Sequence, residues 1–260
     1  MAFYGRVALV TGGASGMGQV SVRRLTKQGA HVAVLDMNEA SLNAMAAENS
    51  RVHPFVCDVS NYDDVVRVIS EVEATLGPID RVTHCAALMP SFPILEMPIE
   101  KVMKLMAVNY GGTVNITKVV LPKMIERGTG DLIVFGSIAG HVLTHNMGAY
   151  SATKAATNTY MEVLMRENAG KGVRMMLVNP PAVNTPLIQQ SLETASPKSL
   201  RDGAAKGSFA SPDFIIDEIE KAIEKGTEIL MPGFQAKILM LWRRLFPGLL
   251  WKVMHKANFA

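Results

Sequence analysis

Tyr150 and Lys154 stand four residues apart in a stretch of helical pattern, so their side chains share one face. A free phenol has a pKa of about 10, so only about one in a thousand is ionised at neutral pH. A nearby ammonium favours the phenolate, and a second positive charge would favour it further. Lowering the pKa by ~3 units needs roughly 4 kcal/mol, which two close charges supply at partial burial. Such a phenolate takes the proton of an alcohol as hydride leaves its carbon, and in reverse the phenol donates to a ketone. Ser137, at the end of an apolar run, can hydrogen-bond the oxygen of the reacting group. Alone these signals are weak, because the chain has five tyrosines and strand-end serines are common.

A hydride needs an acceptor, and a second motif offers one. The first apolar run ends in Thr11-Gly12-Gly13-Ala14-Ser15-Gly16-Met17-Gly18. A glycine-rich turn from strand into helix lets the backbone, and the helix N-terminal N–H groups, approach a pyrophosphate. The plainer reading is a steric strand–helix turn. Its position after the first strand and before the first helix favours the phosphate. The second strand candidate ends at Asp36, whose carboxylate can accept from both adenosine ribose hydroxyls and would repel a 2′-phosphate. No Arg or Lys occupies positions 13–15 or 37–38, which favours NAD over NADP. Asp58 ends the third strand candidate, where it would hold the adenine amino group or cap the next helix.

The elements that must position these residues alternate. Strand candidates are Val7–Val10, His31–Leu35, Val52–Cys57, Val82–Ala87, Leu132–Phe135, Val173–Val178 and Glu228–Met231. Helix candidates lie near Gly16–Gln28, Glu39–Ala47, Asp63–Leu76, Pro98–Ile125, Ala149–Asn168 and Asp213–Lys225. Continuous apolar strands between helices predict a doubly wound parallel α/β sheet, with ligands at the carboxyl ends of its strands. A chain of 260 residues fits one such domain, here residues 1–232. Residues 185–211, rich in Ser, Ala, Lys and Gly, predict a long loop acting as a substrate lid.

Together the motifs resemble the short-chain dehydrogenase/reductase family over about residues 5–233. Its Thr-Gly-x-x-x-Gly-x-Gly matches Thr11, Gly12, Gly16 and Gly18, and its Ser, Tyr and Lys match Ser137, Tyr150 and Lys154. Its helix asparagine matches Asn109. The resemblance implies a Rossmann sheet of about seven strands and NAD held by Gly12, Ser15, Gly16, Met17, Gly18, Asp36, Asp58, Val59, Cys85, Ala86, Tyr150, Lys154, Pro180, Val183 and Thr185. It implies that Lys154 holds the nicotinamide ribose, that Asn109 supports a proton relay through water beneath the lysine, and that homo-oligomers form through the helices bearing Asn109 and Tyr150. Two departures stand out. The family's Asn-Asn-Ala-Gly is here His84-Cys85-Ala86-Ala87, losing amides that tie neighbouring strands. Its Pro-Gly is here Pro180-Pro181, which stiffens the floor of the nicotinamide site.

Expected substrate walls are Leu88-Met89-Pro90, His141-Val142-Leu143, Met147 and Pro181-Ala182, mostly apolar. Met89, His141 and Met147, with Ser137 and Tyr150, are the candidate substrate contacts, although a lone histidine is more often structural. The segment 233–260 differs from the rest. It holds both tryptophans and five basic residues with no acid, against 21 basic and 23 acidic residues before it. Leu239, Trp242, Leu245 and Phe246 would share one helical face, and Pro247-Gly248 would break the helix before a second. This reads as a basic amphipathic tail for a membrane surface, or as one that crosses a neighbouring subunit or roofs the site.

No run approaches the ~20 apolar residues of a spanning helix, and the start lacks a signal-peptide pattern. Reduced Cys57 and Cys85 suit the cytoplasm, and six scattered histidines predict no metal site. A net charge of +3 gives no reason to expect nucleic acid. The sequence therefore predicts an NAD-dependent dehydrogenase of a secondary alcohol or ketone on a lipophilic molecule (a steroid, long-chain or cyclic alcohol). The alternatives are a 3-oxoacyl thioester reductase, disfavoured by Asp36, and a non-catalytic NAD-binding or membrane-scaffold protein, disfavoured by the complete Ser, Tyr and Lys set.

Overall fold

The computed structural model describes Phe3 and residues 5–259; the ends of the two expected segments, Met1, Ala2, Tyr4 and Ala260, lie outside the described residues. The chain runs β1 (Val7–Thr11), α1 (Gly16–Lys27), β2 (His31–Asp36), α2 (Glu39–Glu48), β3 (Val52–Val56), α3 (Tyr62–Leu76), β4 (Arg81–His84), α4 (Ile99–Met106), α5 (Gly112–Arg127), β5 (Gly130–Phe135), α6 (Gly148–Glu167), β6 (Val173–Val178), α7 (Pro186–Leu192), α8 (Lys198–Ala205), α9 (Pro212–Glu224), β7 (Ile229–Leu230), α10 (Phe234–Leu245) and α11 (Pro247–Phe259). The strands form one parallel sheet of seven in the order β3-β2-β1-β4-β5-β6-β7. The order reverses between β1 and β4, which opens a crevice at their carboxyl ends.

Each face of the sheet is covered, which is why β1 is buried along its whole length. On one face α3 packs Val65, Val68, Ile69 and Val72, one helical stripe, beside Ile116, Val120 and Met124 of α5 and Met161 and Met165 of α6. On the other, Ile215, Ile216, Ile219 and Ile223 of α9 meet β5 and β6, while Val22 and Leu25 of α1 meet β1 and β2. Asn61 caps α3 by accepting from the Asp64 amide, and Gly77 ends it with φ +100°. At the amino ends of the strands, Arg81 is buried and forks onto Asp131 at 2.8 and 3.0 Å, and reaches Glu220 at 2.9 Å. That network lies opposite the carboxyl ends and serves the scaffold.

Three elements differ from the sequence reading. The helix expected over Pro98–Ile125 is α4 and α5 joined by a π-helical turn, Ala107–Gly111, a widening that helical periodicity does not reveal. The strand expected to reach Ala87 ends at His84, because the Ala86 amide turns aside to the Thr11 hydroxyl at 3.3 Å. Residues 185–211 are not a loop. They fold into α7, whose first turn Pro186 presets, and α8. Ser191 joins Ser91 and Ser196 in a buried hydroxyl chain at 2.6 and 3.1 Å, which ties α7 to the segment after β4.

Candidate active site

Two cavities meet at the carboxyl end of the sheet. The larger, of about 410 Å³, is lined by Gly12, Ser15, Gly16, Met17 and Gly18 of the first loop and by Asp36, Asp58, Val59, Cys85 and Ala86. Backbone crowding shapes it. Gly12 adopts φ +61°, and a Cβ there would lie 2.8 Å from Ala86 backbone; a Cβ on Gly18 would lie 2.2 Å from the Gly12 carbonyl oxygen. Ser15 precedes α1 in extended conformation and its side chain makes no capping bond, so the first-turn N–H groups face the cavity. Asp36 is not merely solvated: one carboxylate oxygen accepts from the Ala14 amide at 3.1 Å and the other from Asn38 at 3.0 Å. Its remaining lone pairs suit vicinal ribose hydroxyls. These features fit a dinucleotide. Asp58 is partly committed elsewhere, because its Oδ1 accepts from the Ser60 amide and hydroxyl at 2.9 and 2.7 Å. Lys104 of α4 and Gln190 of α7 also line this cavity, and no local motif marked them.

The second cavity, of about 210 Å³, holds Ser137, Tyr150 and Lys154. Met17, Cys85, Ala87, Thr185 and Leu187 line both cavities and mark where they join. Burial pushes the Tyr150 phenol up to about 12, opposed by its hydrogen bond with Ser137. Burial also pushes the Lys154 ammonium down to about 8. The sequence reading asks for two positive charges to lower the phenol, and only the Lys154 ammonium is supplied by the chain itself. Desolvation is the larger influence on Tyr150 and favours the neutral phenol. Lys154 Nζ donates to the Phe135 carbonyl at 2.7 Å, which fixes its position at the end of β5.

Asn109 sits in the π-helical turn, buried, with every side-chain group in use. Its Oδ1 accepts from the Leu88 amide at 2.8 Å, and its Nδ2 donates to the Leu88 carbonyl at 2.9 Å and the Thr153 hydroxyl at 3.0 Å. Its carbonyl accepts from Thr113 and Thr157. Asn109 thus fastens the segment after β4 to the residue beside Lys154. His84 restores the strand tie that the sequence reading thought lost. Its Nδ1 lies 2.7 Å from the Thr11 hydroxyl, and burial, with the Lys154 charge, pushes it down to about 3, so it is neutral.

Asn158 is a positioning residue that sequence reasoning missed. It follows Lys154 by four residues on the same face of α6, fully buried. Its Oδ1 accepts from the Ser137 amide at 3.4 Å, and its Nδ2 donates to the Ser137 carbonyl at 3.1 Å and to His141 Nε2 at 3.0 Å. One amide therefore grips the Ser137 backbone on both sides. The signal was its spacing, i+8 from Tyr150. His141, expected as a substrate contact, is corrected by the same bond: its ring braces Asn158 instead of lining the cavity.

Of the remaining expected walls, Met89, Val142, Met147, Pro181 and Ala182 line this cavity, as do the expected cofactor residues Pro180 and Val183, with Thr185 at the join. Leu88 lines the dinucleotide side, and Leu143 is exposed. Helix α7 supplies Leu187 and Ile188, α8 supplies Leu200, and the tail supplies Leu239 from α10 and Met254 from α11. The four residues expected on one tail face are therefore split. Leu239 turns inward, whereas Trp242, Leu245 and Phe246 are exposed. The tail is held down by Asn258, which accepts from the Ser199 amide and hydroxyl at 3.2 and 3.1 Å and donates to Thr144 at 3.1 Å. Arg243 donates to the His141 carbonyl at 3.1 Å, and Trp251 stacks on His145. No group of metal-binding side chains occurs among the described residues, and no helix among them is long and apolar enough to cross a membrane.

Residues 6–196 match the family model described as short chain dehydrogenase. The chain is 33% identical over 189 residues to an NAD(+)-linked 2-dehydro-3-deoxy-L-rhamnonate dehydrogenase from a Sphingomonas species, covering 72% of this chain and 76% of the relative. It is 33% identical over 192 residues to 2,5-dichloro-2,5-cyclohexadiene-1,4-diol dehydrogenase from Sphingobium indicum, covering 73% and 77%. A solved structure of a putative short-chain dehydrogenase from Novosphingobium aromaticivorans superposes with TM-score 0.79 at 25% identity, over 96% of this chain and 88% of that one. With its seven-stranded sheet, glycine loop and Ser-Tyr-Lys constellation, the chain belongs to the short-chain dehydrogenase family.

Proposed function

We propose that this enzyme interconverts a secondary alcohol and its ketone on a lipophilic molecule, such as a steroid, a long-chain alcohol or another cyclic alcohol, using NAD(H). The observation that carries the substrate reading is the wall around Tyr150. Among the described residues Lys154 is its only charged lining residue, and Met89, Val142, Met147, Ile188, Leu239 and Met254 offer apolar surface. Such a wall repays burial of hydrocarbon and leaves a polar substrate unpaired. The cyclohexadiene-diol relative acts on a ring alcohol, which supports this reading. Asp36, held beside the loop, and the NAD(+)-linked relative support the cofactor preference.

Bound NAD would accept or supply the hydride at the join of the two cavities. Tyr150 Oη takes the alcohol proton, or returns it to the ketone oxygen. Ser137 Oγ hydrogen-bonds that oxygen, aligned by the grip of Asn158 on its backbone. Lys154 supplies the ammonium that, with the cofactor's positive ring, brings the phenol into range, and it also holds the ribose. Asn109 supports the proton relay beneath Lys154 by fixing Thr153 and the segment after β4. The groove of Tyr110 from the π-helical turn and Ala156, Tyr160 and the exposed Val163 of α6 serves as the interface of a homodimer or homotetramer. An activity screen with NAD and with NADP over steroids, aliphatic alcohols and sugar acids tests the reading. Turnover should concentrate on apolar secondary alcohols with NAD, and exclusive use of a sugar acid or of NADP would sink it.

A further inference from the structure

The two C-terminal helices have two apolar sides, and only one is satisfied by the fold. Inward, Ala236 and Leu250 are buried and Leu239 and Met254 close the substrate cavity. Outward, Phe234, Ile238, Leu241 and Leu245 stand at i, i+4, i+7 and i+11 of α10, one continuous stripe that is 78, 38, 56 and 57% exposed. Phe246, Leu249, Trp251 and Val253 extend exposed apolar surface around the turn and along α11. A run of large apolar side chains on two adjacent helices is more than the scattered exposure of an ordinary surface. Lys237 and Arg244, one on either side of Leu241 in the sequence, stand three to four residues from it on α10 and are exposed, as are Lys252 and Lys256 on α11. The segment 233–260 contains no acidic residue to cancel them.

We infer that this outer face docks on an anionic lipid bilayer, with α10 and α11 lying in the interface plane between the membrane and the substrate cavity. Charge selects the partner. A second copy of the tail would set five basic residues against five, whereas anionic headgroups neutralise them and the acyl boundary receives the stripe. The same helices present Leu239 and Met254 to the cavity and the stripe to the bilayer, so an alcohol dissolved in the membrane meets the roof of the site without crossing bulk water. This route rests on the lipophilic-substrate reading; the docking itself does not.

The chain's only two tryptophans, Trp242 and Trp251, both lie in this segment, so intrinsic tryptophan emission reports on it alone. The full-length protein would be mixed with vesicles of phosphatidylcholine alone or blended with phosphatidylglycerol, and followed by cosedimentation and emission. Binding and a blue shift are expected with the anionic vesicles and not with the neutral ones, weakening as salt rises. Lys237→Ser with Arg244→Ser should lower the partition coefficient roughly 30-fold, each basic residue near such a surface being worth about fivefold. Leu241→Asp with Leu245→Asp should abolish binding while turnover of a short water-soluble alcohol persists, which shows that the variant folds. Equal binding to both vesicle types, binding indifferent to these substitutions, or none at all would overturn the docking. So would a Leu241→Asp, Leu245→Asp protein that falls from oligomer to monomer, because the stripe would then be a subunit interface. Vesicle binding by a protein inactive on every alcohol would instead count against the catalytic reading alone.

Discussion

The two cavities that meet at Tyr150 are built by opposite means. The dinucleotide side is a backbone object. Gly12 and Gly18 stand where any side chain would strike the chain, and Asp36 is locked to the Ala14 and Asn38 amides. The substrate side is a side-chain object, walled by methionine, leucine and valine and roofed by two helices that Asn258 and Arg243 hold down. A backbone cradle tolerates no substitution and fixes one ligand shape. A wall of flexible apolar side chains can change without loss of fold, so it is where a family with one reaction varies its substrates.

Substitutions that respect one side and break the other sharpen this contrast. Gly18→Val drives its Cβ toward the Gly12 carbonyl, so NADH affinity should fall more than about 100-fold by titration calorimetry, as expected when backbone must move by an ångström or more at a positioned site. Affinity within a few-fold of the parent would show that the loop is looser than its geometry. Asp36→Ala removes charge-assisted bonds worth about 1.5–3 kcal/mol, so preference for NAD over NADP should drop roughly 10- to 100-fold. An unchanged ratio of kcat/KM values would refute the ribose assignment.

The acid–base pair has a pH signature of its own. Oxidation needs the phenolate, and burial raises the Tyr150 phenol while the Lys154 ammonium and the bound cofactor's ring lower it, so kcat/KM for the alcohol should rise with pH across neutrality. Lys154, pushed down to about 8, loses its ammonium above that pH, and the climb should stop there. A profile flat across neutrality would contradict the assignment. The smallest effect belongs to the roof. Asn258→Ala frees α11 from Ser199 and Thr144, so KM for a bulky alcohol should rise a few-fold, with that for a small one unchanged, as befits the loss of about 1 kcal/mol of hydrogen bonding. Equal changes for both would mean that the roof does not touch substrate.

Sequence reading reached the backbone half almost whole, because steric demands are written in residue type: glycine at a turn, an acid at a strand end, a tyrosine and lysine one turn apart. It reached the side-chain half only in part. Periodicity reported that α10 is apolar, yet it could not tell that Leu239 and Leu245 face opposite ways, since both stripes are apolar and only the body of the protein decides which is covered. Residues 185–211 read as a loop because the apolar contacts that fold α7 and α8 lie on distant segments. His84 read as a loss, because its bond to Thr11 joins residues 73 positions apart. Asn158 was invisible for the same reason: its partners Ser137 and His141 belong to another element.

All of these features converge on one proton and one hydride. The most direct test is a single-turnover measurement on Tyr150→Phe, mixed with NAD and a substrate that the parent enzyme oxidises, following NADH absorbance alongside NADH affinity. Hydride transfer should fall by at least about 1,000-fold, the upper range for loss of a positioned acid–base group, while NADH binds within a few-fold of the parent. Transfer within tenfold of the parent would contradict the account, because another group would then be carrying the proton.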